Sequence, residues 1–388
     1  MSHELINHSP DLRRLRDEGY QIEVKGAYVF LHNVPYVNCQ REIQAGTLVS
    51  TLHLSGGQTL KPDTHAIHFI GEQPCDKNGQ TIQGIMHPSS RTEKLGEGIV
   101  VDRSFSNKPP NGYRDYYHKF IRYIEILAAP AKSINPEAKA NLFLPVIDTL
   151  DDSPFHYVDT HSSRANIGAV SDKLRSQRIA IIGLGGTVSY VLDLVAKTPV
   201  SEIHLFDGDE FLQHNAFRAP SAPTFKQLEI KENKAVYFAS IYSNMKKNIH
   251  PHSEYVTSDN VQLLLDYDFV FICIDEGEFK KDIIPHLLEH KIPFVDVGMD
   301  VKNVDNSLLA DVRTTTVTPS QSDHIPQRIS LTSSINDMYE SNIQIAELNA
   351  LNAAMAVIKW KKQLGFYHDH RREVNSIYTT NTGEISND

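Results

Sequence analysis

The sequence predicts an α/β fold, in which a doubly wound, mostly parallel sheet follows an N-terminal α+β domain. From residue 178 onward, apolar runs of strand length alternate with helix-length segments, and the last such run is Ile292–Val297. Strands spaced in this way pair in parallel through right-handed crossovers. The first of these strands leads directly into a Gly-rich turn, Gly183-Leu184-Gly185-Gly186.

The N-terminal part of the chain shows a different pattern. Strand-like runs cover Gln21–Val34, Thr47–Leu54 and His65–Ile70, and an amphipathic helix is expected over Tyr116–Ala128. These elements predict an α+β domain over residues 1–150, for which partner binding is one open role.

The second domain is expected over residues 151–388, after a proline-containing linker. Antiparallel strands are expected within Leu308–Thr318, followed by one long helix over Tyr339–Leu364. The polar tail Asn375–Asp388 is expected to be disordered.

The Gly-rich turn has the layout of a nucleotide-binding crossover in a Rossmann-like sheet. An Ile-rich strand from Arg178 precedes Gly183, Gly185 and Gly186, and a helical stretch, Tyr190–Ala196, follows them. In this layout backbone N–H groups and the helix N-terminus bind a phosphate. The glycines alone are weak evidence, because many proteins share them.

Charged and polar residues near the ends of the later strands narrow the choice of ligand. The second strand, Glu202–Phe206, and the third, Phe269–Ile274, are each followed by carboxylates, with an amide, an arginine and two lysines between them. These residues are Asp207, Asp209, Asn215, Arg218, Lys231, Lys234 and Asp275. Such a set suits a triphosphate with its magnesium ion, and a nicotinamide pocket needs none of these charges.

This motif resembles the ATP-dependent adenylyltransferases that include ThiF, MoeB and the ubiquitin-activating enzymes. The resemblance covers roughly residues 160–368, and residues 1–150 resemble the uncharacterised N-terminal extensions of some bacterial ThiF-like proteins. It implies an enzyme that binds ATP and Mg²⁺ and adenylates the C-terminal carboxylate of a ubiquitin-like or sulfur-carrier protein. A bacterial ubiquitination-like pathway is implied, and whether a conjugating enzyme receives the acyl group stays open.

The resemblance also implies a role for each residue of the motif. Gly183, Gly185 and Gly186 would form the phosphate loop, and Asp207 would bind the ribose hydroxyls with Asp209 beside it. The other implied roles are phosphate contacts from Asn215, Arg218 and Lys234 (or Lys231 in its place), Mg²⁺ binding by Asp275, and a γ-phosphate contact from Arg164 across a homodimer.

Three departures from the family pattern stand out. Val188 replaces the last loop glycine, and Ala219 replaces the usual glutamine after the arginine. Many members also bind zinc through two C-x-x-C pairs, whereas this chain has 3 cysteines in all: Cys39, Cys75 and Cys273. A tetrathiolate site is therefore excluded, and no zinc is expected.

The fate of the acyl group is open for the same reason. The crossover loop expected over residues 314–334 has no cysteine, and Cys273 is expected to be buried in a strand. Direct transfer to a partner is favoured over an oxyester on a loop Ser or Thr activated by His324. Cys75 as a metal ligand with His65 and His68 is disfavoured, because in a strand the two histidines point to opposite faces. Cys75 as a nucleophile is disfavoured because no base is placed for it.

The charge and composition of the whole chain limit the classes of protein and partner that remain possible. A net charge of −10 argues against nucleic acid or an anionic membrane as the main partner. With no 18-residue apolar run, no cleavable signal and no disulfide framework in the sequence, a cytoplasmic enzyme is expected. Two alternatives remain: an NAD-type oxidoreductase, and a scaffold of the same fold that has lost catalysis.

Overall fold

The computed structural model describes residues 2–87, 92–147, 153–165, 167–274, 277–331 and 343–388. The chain divides into two compact units. The first comprises Met1–Asp151 and Tyr157–Asn166, and the second comprises Asp152–His156 and Ile167–Asp388.

The first unit is a five-stranded antiparallel sheet, in the order β1-β2-β3-β6-β9, packed against helices. Its helices are α1 (Ser2–His8), α2 (Pro10–Asp17), α3 (Tyr116–Ile134) and α4 (Thr160–Arg164). Its strands are β1 (Ile22–Lys25), β2 (Tyr28–Val37), β3 (Ile43–Thr51), β4 (Leu54–Ser55), β5 (Gln58–Thr59), β6 (Ala66–Ile70), β7 (Glu93–Lys94), β8 (Val100–Val101) and β9 (Arg103–Ser106). The predicted α+β class is confirmed.

Helix α3 supplies much of the core of this unit. It begins where the Asp115 carboxylate accepts a hydrogen bond from the His118 N–H (2.7 Å), a standard N-cap. Tyr116, Phe120 and Tyr123 recur at helical spacing and are fully buried. They belong to one apolar cluster with residues of the sheet, so α3 is held by tertiary packing and continues past its predicted end at Ala128.

The second unit is an eight-stranded sheet in the order β12-β11-β10-β13-β14-β15-β16-β17. Its strands are β10 (Arg178–Ile182), β11 (Glu202–Phe206), β12 (Ile249–His252), β13 (Phe269–Ile272), β14 (Phe294–Val304), β15 (Ser307–Val317), β16 (Asn375–Thr379) and β17 (Glu384–Asn387). Strands β10 to β14 pair in parallel, and β14 to β17 pair antiparallel. The predicted α/β fold with a mostly parallel sheet is confirmed.

The helices of this unit are α5 (Gly168–Ser171), α6 (Gly186–Ala196), α7 (Gln213–Ala216), α8 (Phe225–Ile230), α9 (Lys234–Tyr242), α10 (Gly277–Glu289), α11 (Ile325–Arg328) and α12 (Ala346–Gln363). Apolar clusters lie on both faces of the sheet. One contains α6 and α9 residues and the buried Trp360 of α12, and the other contains Ile283, Ile284 and Leu287 of α10. The sheet is therefore doubly wound, as predicted.

The strand order shows at which end of the sheet a ligand site is expected. The chain runs from β10 outward through β11 to β12, then returns to pair β13 with the other side of β10. The strand order thus reverses at β10, and ligands of open α/β sheets bind outside the carboxyl ends of the strands at such a point. Ile182, Phe206 and Ile272 end the three central strands.

Two predictions about the C-terminal region are wrong. The tail is not disordered: β16 pairs with β15, and β17 pairs with β16, which extends the sheet by two antiparallel strands. Thr314–Val317 also belongs to β15 instead of to a crossover loop. A sheet edge provides backbone hydrogen bonds to polar segments, which hydrophobic periodicity does not reveal.

In the part of the chain that the structure describes, no helix combines the length and the apolar character needed to cross a bilayer.

Candidate functional site

The Gly-rich turn follows β10 at the switch point. Gly183 has φ +83°, which favours glycine, and its N–H donates to the carbonyl of Phe206 at the end of β11 (2.8 Å). A Cβ at Gly183 would lie 3.2 Å from the carbonyl oxygen of Cys273. The turn is therefore fitted closely between the ends of β11 and β13.

Helix α6 begins at Gly186, where there is no space for a side chain. A Cβ there would lie 2.0 Å from Nδ2 of Asn349 and 2.5 Å from Oε1 of Gln344. The Gly186 N–H donates to this Gln344 oxygen (3.2 Å), and Thr187 Oγ1 donates to Oδ1 of Asn349 (2.9 Å). Gln344 and Asn349 are site residues that the motif did not identify.

The departures at Val188 and Ala219 fit the structure. Val188 is buried in the apolar cluster beneath α6, and Ala219 packs against the same cluster. Both residues therefore contribute to the apolar core of the second unit.

Asp207 ties the Gly-rich turn to the end of β11. One carboxylate oxygen accepts from the Leu184 N–H, and the other accepts from the Asp209 N–H (2.8 Å). Burial raises the pKa of Asp207, and the nearby Lys234 ammonium and these two N–H groups oppose that shift. Each oxygen retains a second lone pair that can accept from a ligand hydroxyl.

Lys234 lies between the two carboxylates. Its Nζ is 2.5 Å from Oδ2 of Asp209 and 3.9 Å from Oδ1 of Asp207, and its side chain is buried. Burial would raise the pKa of Asp209, but hydrogen bonds from Lys234 and Tyr255 outweigh it and lower this pKa. Lys231, by contrast, is exposed and left-handed (φ 52°) after the end of α8. Of the two candidate lysines, the structure therefore brings Lys234 to the carboxylates.

Asn233 and Tyr255 support this arrangement and were missed by the sequence analysis. Asn233 Nδ2 donates to the carbonyls of Asp207 (2.8 Å) and Asp209 (3.1 Å), while its Oδ1 caps α9 through the Ala235 N–H (2.9 Å). Tyr255 Oη donates to Oδ1 of Asp209. An Asn before a helix is a recognisable cap signal, whereas the contact from Tyr255 has no local signal.

Asn215 and Arg218 lie on and just after the short helix α7. Asn215 is buried, and its Oδ1 accepts from the Leu212 N–H (2.8 Å). The Arg218 N–H donates to the Asn215 carbonyl (3.1 Å), and the Arg218 carbonyl accepts from Nδ2 of Asn349 (3.1 Å). Asn349 therefore connects the start of α6 to the segment that carries Arg218.

The structure does not test two of the predicted site residues. Asp275 lies outside the described residues. Arg164 is exposed at the end of α4 in the first unit, although the expected boundary at residues 150/151 assigned it to the second. The boundary and the role of Arg164 both stay predictions.

The cysteines are placed differently from expectation. Cys273 follows the end of β13 and is half-buried, so the prediction that it lies inside a strand is wrong. Cys75 is buried, with its Sγ 3.0 Å from that of Cys39, and burial raises the pKa of Cys75 to about 11. A thiol that titrates so high is a poor nucleophile at neutral pH.

Hydroxyl groups in the expected crossover loop are also rearranged. Thr314, Thr315 and Thr316 are buried in β15, and Thr314 Oγ1 donates to Asn352 (2.8 Å). His324 lies with Nε2 2.9 Å from the Thr316 carbonyl, so this nitrogen donates a hydrogen bond instead of acting as a base. These threonines are not accessible acyl acceptors.

A second carboxylate–cation group lies in β14, and the motif did not predict it. Asp296 is completely buried, with Lys280 Nζ 2.6 Å from Oδ1 and Arg313 Nη2 2.6 Å from Oδ2. Asp296 pairs in register with Ile272, the last residue of β13. Because it is enclosed, this group has the character of a structural ion pair.

The site thus has the layout of a class of protein, the nucleotide-binding α/β domains: a Gly-rich turn, two carboxylates and a lysine at the switch point. Residues 162–310 match the model of the ThiF family, and residues 10–160 match a domain of unknown function (DUF6791). The chain therefore carries a ThiF-family domain, which confirms the family resemblance seen in the sequence.

Curated relatives are similar to part of this chain. The tRNA threonylcarbamoyladenosine dehydratase of Escherichia coli (strain K12) is 27% identical over 31% of this chain and 45% of its own length. The ubiquitin-like modifier-activating enzyme 5 of Drosophila ananassae is 20% identical over 50% of this chain and 52% of its own length. The chain spans about half the length of the curated relatives it matches.

Solved structures are similar to part of this chain at low identity. A crystal structure of E. coli MccB with ATP is 17% identical, with a TM-score of 0.47, over 59% of this chain and 69% of that chain. The crystal structure of PaaA is 14% identical, with a TM-score of 0.43, over 57% of this chain and 75% of that chain. Similarity at this level supports no inference about activity.

Proposed function

We propose that the second unit uses ATP to activate a carboxylate as an acyl-adenylate. The observation that carries this proposal is the cluster of Asp207, Asp209 and Lys234, which Asp207 ties to the phosphate loop through the Leu184 N–H. The Lys234 side chain is buried, but its partner Asp209 is half-exposed. A ligand phosphate can therefore take the place of the Asp209 carboxylate beside the Lys234 ammonium group. The ThiF-family match of this region supports the same chemistry.

In the proposed reaction, a carboxylate oxygen attacks the α-phosphorus, and the bond from that phosphorus to the pyrophosphate oxygen breaks. Catalysis requires positioning and neutralisation of charge more than covalent chemistry. The phosphate loop and the N-terminus of α6 would bind phosphate, Asp207 would accept from the ribose hydroxyls, and Arg218 and Lys234 would neutralise the phosphates. The Asn215 side chain would hold the segment that carries Arg218.

Magnesium fits this set of donors. Mg²⁺ takes oxygen ligands, commonly one or two carboxylates with phosphate oxygens and water, and the half-exposed Asp209 carboxylate lies at the same strand end as Lys234. In the proposal Asp275 is the protein ligand, and the bound ion would neutralise charge on the phosphates.

The proposed substrate is the C-terminal carboxylate of a ubiquitin-like or sulfur-carrier protein. The printed names of the relatives include a tRNA-modifying enzyme and an activating enzyme for a ubiquitin-like modifier, so relatives alone leave the substrate class open. The net charge of −10 favours a protein over a polyanionic tRNA. A homodimer in which Arg164 serves the partner's nucleotide, and a cytoplasmic location, belong to the same proposal.

We propose direct transfer of the acyl group to a partner, with a conjugating enzyme as one candidate acceptor. Burial of Thr314, Thr315 and Thr316 removes three of the hydroxyls considered for an oxyester, and His324 is turned to a carbonyl. Cys273, now half-buried, remains the thiol to test against this proposal. A covalent adduct that is cleaved by reductant and lost in Cys273→Ala would contradict direct transfer.

ATP–pyrophosphate exchange tests the activity itself. The full chain is incubated with ATP, Mg²⁺ and labelled pyrophosphate, in the presence of ubiquitin-like and sulfur-carrier proteins that end in glycine. Exchange that depends on one of these proteins supports the proposal. Tight ATP binding without exchange would indicate the inactive scaffold, and preferential NAD binding would indicate the oxidoreductase; no particular observation favours either alternative.

A further inference from the structure

Three potential metal ligands meet on strands β11 and β12, away from the candidate nucleotide site. One ligand atom from each of Glu202, His204 and His250 lies within 4.8 Å of the other two. Residues two apart on a strand share a face, which places Glu202 and His204 together. His204 and His250 are register partners across the parallel pair, and their rings stack with centroids 4.5 Å apart.

His204 has both ring nitrogens engaged, and this limits where its proton can be. Nε2 lies 3.3 Å from Oε2 of Glu202, and Nδ1 lies 3.0 Å from Nε2 of His252. In its neutral form each imidazole ring carries a single N–H, so one nitrogen of each ring is then an acceptor.

Two proton arrangements fit these distances. If Nδ1–H of His204 donates to His252, the lone pair of Nε2 faces the Glu202 carboxylate, and two acceptors then require a cation between them. If instead His252 donates to Nδ1, Nε2–H donates to Glu202, and the chain of hydrogen bonds is complete without a metal. The first arrangement matches metal sites, in which a ligating histidine donates its other N–H to a neighbouring acceptor.

The ligand types and spacing indicate the class of ion. Imidazole and carboxylate ligands together suit zinc and similar divalent transition metals, and two histidines with one glutamate leave a position for water. With bonds of roughly 2.0–2.1 Å, two corners of a zinc tetrahedron lie ~3.4 Å apart. The separation of 3.3 Å between His204 Nε2 and Glu202 Oε2 is close to this value, and the exposed His250 can rotate to complete the site.

We propose that Glu202, His204 and His250 bind one divalent transition metal ion of the zinc class, with His252 orienting His204. Glu202 and His204 precede Asp207 by five and three residues, so the ion would lie roughly 10–16 Å from the candidate nucleotide site along the strand. The expectation of no zinc rested on thiolates, and it does not extend to these ligands.

The site would fasten the edge strand β12 to β11. Strand β12 supports the nucleotide site directly, because the Asp207 N–H donates to the carbonyl of His252 (3.2 Å). Ordering β12 through His250 would therefore also order the backbone acceptor of Asp207. This inference is independent of the adenylation activity.

Zinc binding by the full chain tests the proposal. The protein, without a histidine tag and stripped with chelator, is titrated with Zn²⁺ by calorimetry at pH 7, and Co²⁺ absorption reports the coordination geometry. We expect one equivalent of Zn²⁺ to bind and to raise Tm. Affinity should fall at least tenfold in His204→Gln and in His250→Gln; the exposed His250 provides a variant that keeps its fold if His204→Gln does not.

A matched control uses a second histidine pair. His286 and His290 lie on and just after α10, one helical turn apart, with ring centroids 4.4 Å apart, and could chelate zinc on their own. The double variant His286→Gln/His290→Gln should bind as tightly as the wild-type protein. Failure of the wild-type protein to bind one equivalent would overturn the proposal, as would binding that survives His204→Gln and His250→Gln but is lost in the control.

Discussion

Two carboxylate–cation groups in the second unit have similar distances but differ in their exposure to solvent. Asp209 and Lys234 are joined at 2.5 Å, and Asp296 lies 2.6 Å from both Lys280 and Arg313. The Asp209 side chain is 50% exposed, whereas Asp296 is completely buried. A ligand can approach Lys234 from the exposed side of Asp209 and take the place of that carboxylate. The buried Asp296 is not accessible to a ligand. Access, and not the residue types, separates the candidate binding site from a structural ion pair.

The largest expected effect is a loss of folding stability when the buried Asp296 group is disrupted. Asp296→Ala leaves two cations without their carboxylate, and breaking a buried pair in this way costs about 3–5 kcal/mol of unfolding free energy. Urea denaturation followed by circular dichroism measures it. The control is Asp300→Ala on the same strand, where the pair with Lys302 is exposed on both sides (59% and 58%); its cost should stay within about 0.5 kcal/mol. Equal losses of unfolding free energy in Asp296→Ala and Asp300→Ala would show that burial does not separate the two kinds of ion pair.

The second effect concerns catalysis at the accessible group. Lys234→Ala should lower ATP–pyrophosphate exchange by about 10²–10³-fold, because it removes a preorganised charge from the phosphates. Lys231→Ala, which changes an exposed lysine nearby, should leave exchange within about twofold. Thermal melting of both variants shows whether folding is retained. Loss of exchange in Lys231→Ala with activity retained in Lys234→Ala would assign the phosphate contact to the other lysine.

The third effect tests how closely the phosphate loop is packed. Gly186→Ala forces Asn349 and Gln344 aside and should cost about 1–3 kcal/mol of stability. At Gly185 a Cβ would meet no atom within 4 Å, so Gly185→Ala should cost less than about 1 kcal/mol. Chemical denaturation compares the two. A smaller loss at position 186 than at 185 would show that α12 does not constrain the start of α6.

The smallest expected effect is the pH dependence of the accessible pair. The pKa of Asp209 is lowered in the folded protein, so the carboxylate stabilises the fold above its unfolded pKa of about 3.9. This stability is lost as the pH falls through the lower folded value. Because the pair is half-exposed, the effect should be below about 1 kcal/mol. Asp209→Asn should flatten the stability profile between about pH 5 and pH 2, and an unchanged profile would show that the pair contributes nothing measurable.

Local pattern identified much of the second unit. Strands β10 and β11 have the bounds that their apolar runs predicted, and the Gly-rich turn lies between β10 and α6 as expected. The polar residues quoted from the sequence also include Asp207, Asp209 and Lys234, which the structure brings together. These features could be inferred because strand periodicity, left-handed turns and helix starts each depend on residues within a few positions.

The long-range features were not predictable in this way. Polar strands β16 and β17 form because β15 offers an open edge, and Tyr255 reaches Asp209 from 46 residues away. The choice between Lys234 and Lys231 likewise required knowing where α8 ends and α9 begins.

Local sequence patterns were enough to predict the fold class and the position of the Gly-rich turn. Tertiary contacts were needed to show which lysine meets the carboxylates, that Asn349 holds the start of α6, and that Glu202, His204 and His250 converge. These arrangements depend on strand order and helix packing, which bring together residues far apart in the chain. The sequence shows which charged and polar side chains are present, and the fold determines which of them a ligand can reach.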